Sequence, residues 1–196
     1  MVYRDFKGLK LSGLGMGNMR LPVVDGDDSK IDYAEAERII DYAYEHGVNY
    51  FDTAYAYHNG SSELAVRQAL SKYPRESYYL ADKFPGYDLA NMPKVKEIFE
   101  EQLQKCGVDY FDYYLIHAMS GERYDLYRDC GAFEIIPQLK REGRVRHFGM
   151  SFHDKAEVLD QILTEYPQIE VVQIQFNYVD YEDPSVESRK CYQVCC

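Results

Sequence analysis

Apolar residues recur with two different periods along this 196-residue chain, and the period switches at regular intervals. Near-continuous or alternating apolar runs predict strands, whereas apolar residues three and four apart predict amphipathic helices. Tyr3 to Phe6 and Leu9 to Leu11 flank a Lys7-Gly8 pair suited to a tight turn, which predicts a β-hairpin. A short strand is predicted near Gly13 to Gly17. Asp32, with Glu35 three residues on, resembles a capping box. Ala36, Ile39, Ile40, Ala43 and Tyr44 then form the apolar stripe of a helix that Gly47 ends.

The alternation then repeats. Strand Val48 to Phe51 precedes a helix carrying Leu64, Ala65, Ala69 and Leu70. Strand Tyr78 to Ala81 precedes a helix with Val95, Ile98, Phe99 and Leu103 on one face, closed by Gly107. Strand Tyr110 to Ile116 leads to a helix around Phe133 to Arg141 that contains Pro137. Strand Val145 to Met150 leads to a helix capped by Asp154 with Glu157 and lined by Val158, Leu159, Ile162 and Leu163. Strand Val171 to Phe176 and a helix starting near Ser185, cut off by the chain end, complete six units. This is the α/β pattern of parallel βαβ units. A doubly wound sheet and a (β/α)8 barrel stopping after six units both fit, and periodicity does not separate them.

Composition narrows the class. Hydrophobic residues make up 46% and charged residues 28%, ordinary globular usage, and the length suits one domain spanning 1–196. A net charge of −11 argues against nucleic acid as a partner, because phosphate contacts need a basic face. No stretch approaches about 18 apolar residues and the N-terminus lacks a leader pattern, so the expectation is a cytoplasmic protein without a membrane partner. The five cysteines, Cys106, Cys130, Cys191, Cys195 and Cys196, include no C-x-x-C pair, so reduced thiols and no metal site are expected.

Candidate chemistry gathers at the predicted C-terminal ends of strands, where α/β folds bind ligands. Asp52 follows the second strand, Tyr57 the loop after it, Lys83 the third strand and His117 the fourth. Each has a bland reading: Tyr57 is one of 20 tyrosines, a lone histidine is more often a satisfied core residue, and a lone lysine is usually solvated. Together they suggest more. A lysine paired with an aspartate, next to a tyrosine, favours the ionised phenol and so makes a tunable acid of a group whose ordinary pKa is about 10.

The stretches GVNYFDTAYAYHNGSSE, YLADKF, DYFDYYLIH, GRVRHFGMSF and VVQIQFNY, in this order, resemble the aldo-keto reductases across nearly the whole chain. The family's D-T-A-x-x-Y segment matches Asp52 and Tyr57, and its strand lysine and histidine match Lys83 and His117. The resemblance implies a TIM barrel, here truncated after about six β/α units, that reduces small aldehydes or ketones with NADPH, and the truncated chain is expected to be inactive or impaired. It implies that Tyr57 is the general acid, that Lys83 and Asp52 tune it, and that His117 orients the carbonyl. Gly15, Met16, Ser151 and Gln173 match the family's cofactor-binding positions.

Three departures from the family stand out. The chain ends inside the sixth helix, so strands seven and eight, whose loops commonly build the phosphate site, are expected to be missing. His58 replaces the glycine usual after the tyrosine, and Phe152 replaces a frequent asparagine after the serine. GLGMGNMRLP, TAYAYHNGSSE and GMSFHD also resemble a bacterial subgroup with a ferredoxin-like C-terminal extension, and an iron–sulfur cluster is implied only if such an extension exists. The competing readings are a non-catalytic nucleotide-binding barrel, a truncated product exposing an unpaired sheet edge, and a Schiff-base aldolase using Lys83.

Overall fold

In the computed structural model, which describes residues 1–196, the chain divides into two compact units. One comprises Met1–Asp82 with Phe99–Tyr113, the other Lys83–Ile98 with Tyr114–Cys196.

The first unit opens with β1 (Tyr3–Phe6) and β2 (Leu9–Ser12), an antiparallel hairpin with Phe6 opposite Leu9. Lys7 and Gly8 between them both take positive φ, 46° and 85°, as a two-residue hairpin turn requires. β3 (Met16–Gly17), β4 (Tyr50–Asp52) and the first part of β5 (Tyr79–Phe84) follow as parallel neighbours, with the start of β6 (Phe111–Met119) next in order. α1 (Tyr33–Glu45) begins where predicted: Asp32 Oδ1 accepts the Glu35 N–H at 3.1 Å, and Ala36 and Ile40 are buried. α2 (Ser62–Leu70) buries Ala65, Val66, Ala69 and Leu70. Asp112, buried at the start of β6, accepts both the Leu80 N–H at 2.9 Å and Arg75 Nη2 at 2.6 Å, so one carboxylate ties three segments together.

α3 (Val95–Cys106) starts in the second unit and ends in the first, and its predicted face, Val95, Ile98, Phe99 and Leu103, is buried. In the second unit the strand order is β5-β6-β7-β8, with β7 Val145–Phe152 and β8 Val171–Ile174. The helices are α4 (Gly121–Asp129), α5 (Ala132–Arg141), α6 (Ala156–Glu165) and α7 (Ser188–Val194). β7 and β8 are parallel, with Gly149 opposite Val171 and Ser151 opposite Gln173. Gly149 permits this approach: a Cβ there would run into Val171 O and come within 2.8 Å of Leu115 Cδ2. No helix is long and apolar enough to cross a membrane.

The structure corrects several boundaries. Asp52, Lys83, His117 and Ser151 lie inside β4, β5, β6 and β7 rather than after them. The last strand stops at Ile174, and the last helix starts at Ser188, so only Cys191 of the three terminal cysteines lies within it. Asp154 does not cap α6, whose N-cap is Lys155 with no side-chain bond. Its Oδ2 instead accepts the Gly121 N–H at 2.8 Å, at the start of α4, a helix the sequence pattern did not reveal.

Candidate active site

The sequence-predicted residues fall in both units. Gly15, Met16, Asp52 and Tyr57 belong to the first; Lys83, His117, Ser151 and Gln173 belong to the second.

In the first unit, Asp52 ends β4 and is 7% exposed. Its carbonyl accepts both the backbone N–H and the side-chain amide of Asn18, each at 2.9 Å, which fixes the end of the strand against the segment after β3. Ser62 extends this tie by donating to the Asn18 carbonyl at 2.9 Å while Thr53 Oγ1 lies 2.9 Å from its oxygen. Tyr57 is half-buried at the head of a 3-10 turn, Tyr57–Gly60. Two consecutive residues of that turn, His58 and Asn59, hold left-handed conformations with φ of 51° and 52°. Such residues cost about 1 kcal/mol or more each and persist only when their surroundings over-determine them. His58 supplies that determination. Its side chain is buried, Nε2 accepts the Leu21 N–H at 2.9 Å, and Nδ1 lies 2.9 Å from Asp28 O. Gly15 is exposed, and a Cβ there would meet Tyr50 Cδ1 at 2.9 Å, so packing against Tyr50 already accounts for the glycine.

In the second unit, Lys83 on β5 is 1% exposed and His117 on β6 is 9% exposed. Burial pushes the His117 imidazole down to about 3, with further depression from the Lys83 ammonium, from His153 and from Arg123. His117 is therefore neutral around pH 7, with a hydrogen on one ring nitrogen and a lone pair on the other. Its ring packs T-shaped against Tyr87 with centroids 5.4 Å apart, and its carbonyl accepts the hydroxyl of Tyr127. The next residue, Ala118, is left-handed with φ 52°. It is clamped on both sides: its N–H donates to Ser151 Oγ at 2.7 Å, and its carbonyl accepts Arg123 Nη1 at 2.8 Å. Ser151 is buried beside Gln173, its register partner, which is exposed. His153 follows β7 and is exposed, with its N–H on Met119 O at 2.8 Å.

Sequence reasoning missed one buried polar cluster. Glu63, Asp82 and Cys106 each place a potential ligand atom within 4.8 Å of the others. Lys105 pairs with Glu63, and the Cys106 thiol donates to Asp82 Oδ2 at 3.7 Å. Burial pushes both Glu63 and Cys106 up, and the Lys105 ammonium already supplies the cluster's positive charge, so the cluster reads as a core polar network. It had no signal in sequence, because its members are spread over three elements.

These observations can be set beside known proteins. The model of the aldo/keto reductase family matches residues 13–196. The chain belongs to that family. Similar proteins include a probable aldo-keto reductase of Glycine max, 30% identical over 74% of this chain and 42% of its own length. The NADH-specific methylglyoxal reductase of Escherichia coli K12 is 26% identical over 88% of the chain and 57% of its own length. An aldo-keto reductase of Mycolicibacterium vanbaalenii is 33% identical, with 83% and 52% covered. The chain thus spans about half the length of these relatives. Among solved structures, an aldo-keto reductase from Bacillus halodurans in its holo form matches with TM-score 0.70 at 27% identity, covering 90% of this chain and 58% of that one. A thermostable aldo-keto reductase bound to the inhibitor epalrestat matches with TM-score 0.75 at 22% identity, covering 100% and 69%. The parallel strands and the N-terminal hairpin match part of the aldo-keto reductase fold, and the family model bears out the expected family.

Proposed function

We propose that this protein reduces aldehydes or ketones to alcohols with a nicotinamide dinucleotide, NADPH, as hydride donor and Tyr57 as proton donor. The observation that carries the reading is Lys83, a lysine 1% exposed on a strand, whose charge also acts on the neutral His117. A buried ammonium needs a reason, and one adjacent cation stabilises an ionising phenol by about 1.36 kcal/mol for each unit of pKa depression.

In this reading Asp52 and Lys83 tune the Tyr57 hydroxyl, and Tyr57 delivers its proton to the carbonyl oxygen. His117, being neutral, orients that oxygen as a hydrogen-bond donor without adding charge. The cofactor, when bound, supplies the hydride that reaches the carbonyl carbon. The residues suit its carboxamide: Ser151 Oγ accepts the Ala118 N–H and keeps its own proton to donate, and Gln173 stands beside it on the next strand. Gly15 and Met16 would line the cofactor from β3. The E. coli relative is named as NADH-specific, so both dinucleotides belong in the assay, with methylglyoxal as the first carbonyl.

The test follows dinucleotide oxidation by the 196-residue protein and by its Tyr57→Phe variant. The expected result is turnover by the former and a loss of about a hundredfold or more in the latter, with dinucleotide binding retained. Dinucleotide binding without turnover of any carbonyl would make the protein a nucleotide-binding member of the family instead.

A further inference from the structure

Arg123, in the second unit, is a half-buried cation without a carboxylate partner. Acidic residues outnumber Lys and Arg by 33 to 22, and other partly buried cations have taken one: Arg75 pairs with Asp112, Lys105 with Glu63, Lys140 with Glu170. Arg123 forms no ion pair. Its Nη1 donates to Ala118 O at 2.8 Å, and the guanidinium lies 5.5 Å from the Tyr87 ring centroid. Nε and the other amino nitrogen have no protein acceptor. A guanidinium is a rigid fork of donors that matches a carboxylate with two parallel bonds, so an arginine held by its stem side with its fork unused is shaped for an anion.

Its surroundings say where that anion would sit. Tyr87 is shared, with Arg123 over its ring and His117 packed T-shaped against it. The positive field of Arg123 reaches both His117 and the exposed His153, and is among the causes that hold each of them down. Arg123 and the imidazole that would face the carbonyl thus share one aromatic neighbour, Tyr87.

We propose that Arg123, with His153 beside it, anchors a carboxylate on the carbonyl substrate, so that the preferred substrates are small oxo acids rather than neutral aldehydes or ketones. The proposal rests on the reductase reading for the word substrate, but anion recognition can be measured apart from hydride transfer.

The experiment titrates phenylglyoxylate and its uncharged methyl ester into the 196-residue protein by calorimetry, with the ring signals of His117 and His153 followed by NMR. The acid is expected to bind about tenfold or more tightly than the ester and to shift both histidine signals, as a charge-assisted bidentate contact would give. Arg123→Gln should bring the acid down to the level of the ester; Arg123→Lys, which keeps the charge but not the fork, should fall between. Equal binding of acid and ester by the unaltered protein overturns the proposal without needing any variant to fold. So does a variant that weakens NADPH but keeps the acid preference, because the anion would then be a cofactor phosphate. Anion binding that persists in a protein oxidising no dinucleotide would sink the reductase reading alone.

Discussion

Leu21 and His58 meet through a single nitrogen: the Leu21 N–H points at His58 Nε2 from 2.9 Å. A backbone amide only donates, so Nε2 must carry the lone pair and Nδ1 the proton, which goes to Asp28 O at 2.9 Å. The histidine that follows Tyr57 is thereby fixed as one neutral tautomer bridging two backbone groups. In long-range proton–nitrogen NMR spectra His58 should show the Nδ1–H form, and finding the Nε2–H form would break the assignment. His58→Leu removes both bonds and should cost about 1–3 kcal/mol in chemical denaturation, the penalty of leaving the buried Leu21 N–H unpaired, whereas the exposed Asp28 can turn to water. His58→Gln should cost less.

His117 makes stability depend on acid. Its native pKa of about 3 lies below the ordinary 6.5, so between these values the unfolded chain binds a proton that the folded chain refuses. The unfolded state then holds more protons, stability rises with pH across this window, and on acidification it is lost from about pH 6.5 downward. The contribution is on the order of a few kcal/mol by pH 3. Urea midpoints measured from pH 7 to pH 4 should fall, and His117→Asn should flatten that slope. An unchanged slope in the variant would assign the acid sensitivity to other groups.

Gly149 should resist any side chain. A Cβ would strike Val171 O and come within 2.8 Å of both Leu115 Cδ2 and Val171 Cβ, so Gly149→Ala must push β8 away from β7. Overpacking of this kind costs about 1–3 kcal/mol. A thermal melt of the alanine variant matching that of the parent would mean the strands have room that the geometry denies.

The parts of the fold that sequence made legible are those whose periodicity was uninterrupted. α1 announced itself with the Asp32 cap and its stripe, and α3 with four apolar residues at helical spacing. α4 stayed hidden because GERYDLYRD is mostly charged, and its two buried residues, Tyr124 and Tyr127, are as easily read as surface tyrosines. Asp154 was misread for a related reason. Glu157 three residues on imitates a local cap, while the partner it uses, the Gly121 N–H, is 33 residues away. Three strands run past the ends their apolar pattern predicts, because polar residues interrupt the runs at Asp82, His117 and Ser151 although the strands continue through them. Of the site, the motif residues could be named from sequence. Arg123 could not, because an arginine without an acid is visible only once every neighbour has been placed.

Ala118 carries one more consequence. An alanine is not at ease in the left-handed region, where an L residue costs about 1–2 kcal/mol, and it is kept there by Ser151 from one side and Arg123 from the other. The backbone just after His117 is thus set by one residue five positions on and another on the neighbouring strand. Whichever clamp is lost first lets the peptide relax, and the second then has little left to hold. In evolutionary terms positions 123 and 151 are not independent: the effect of a substitution at either depends on what stands at the other.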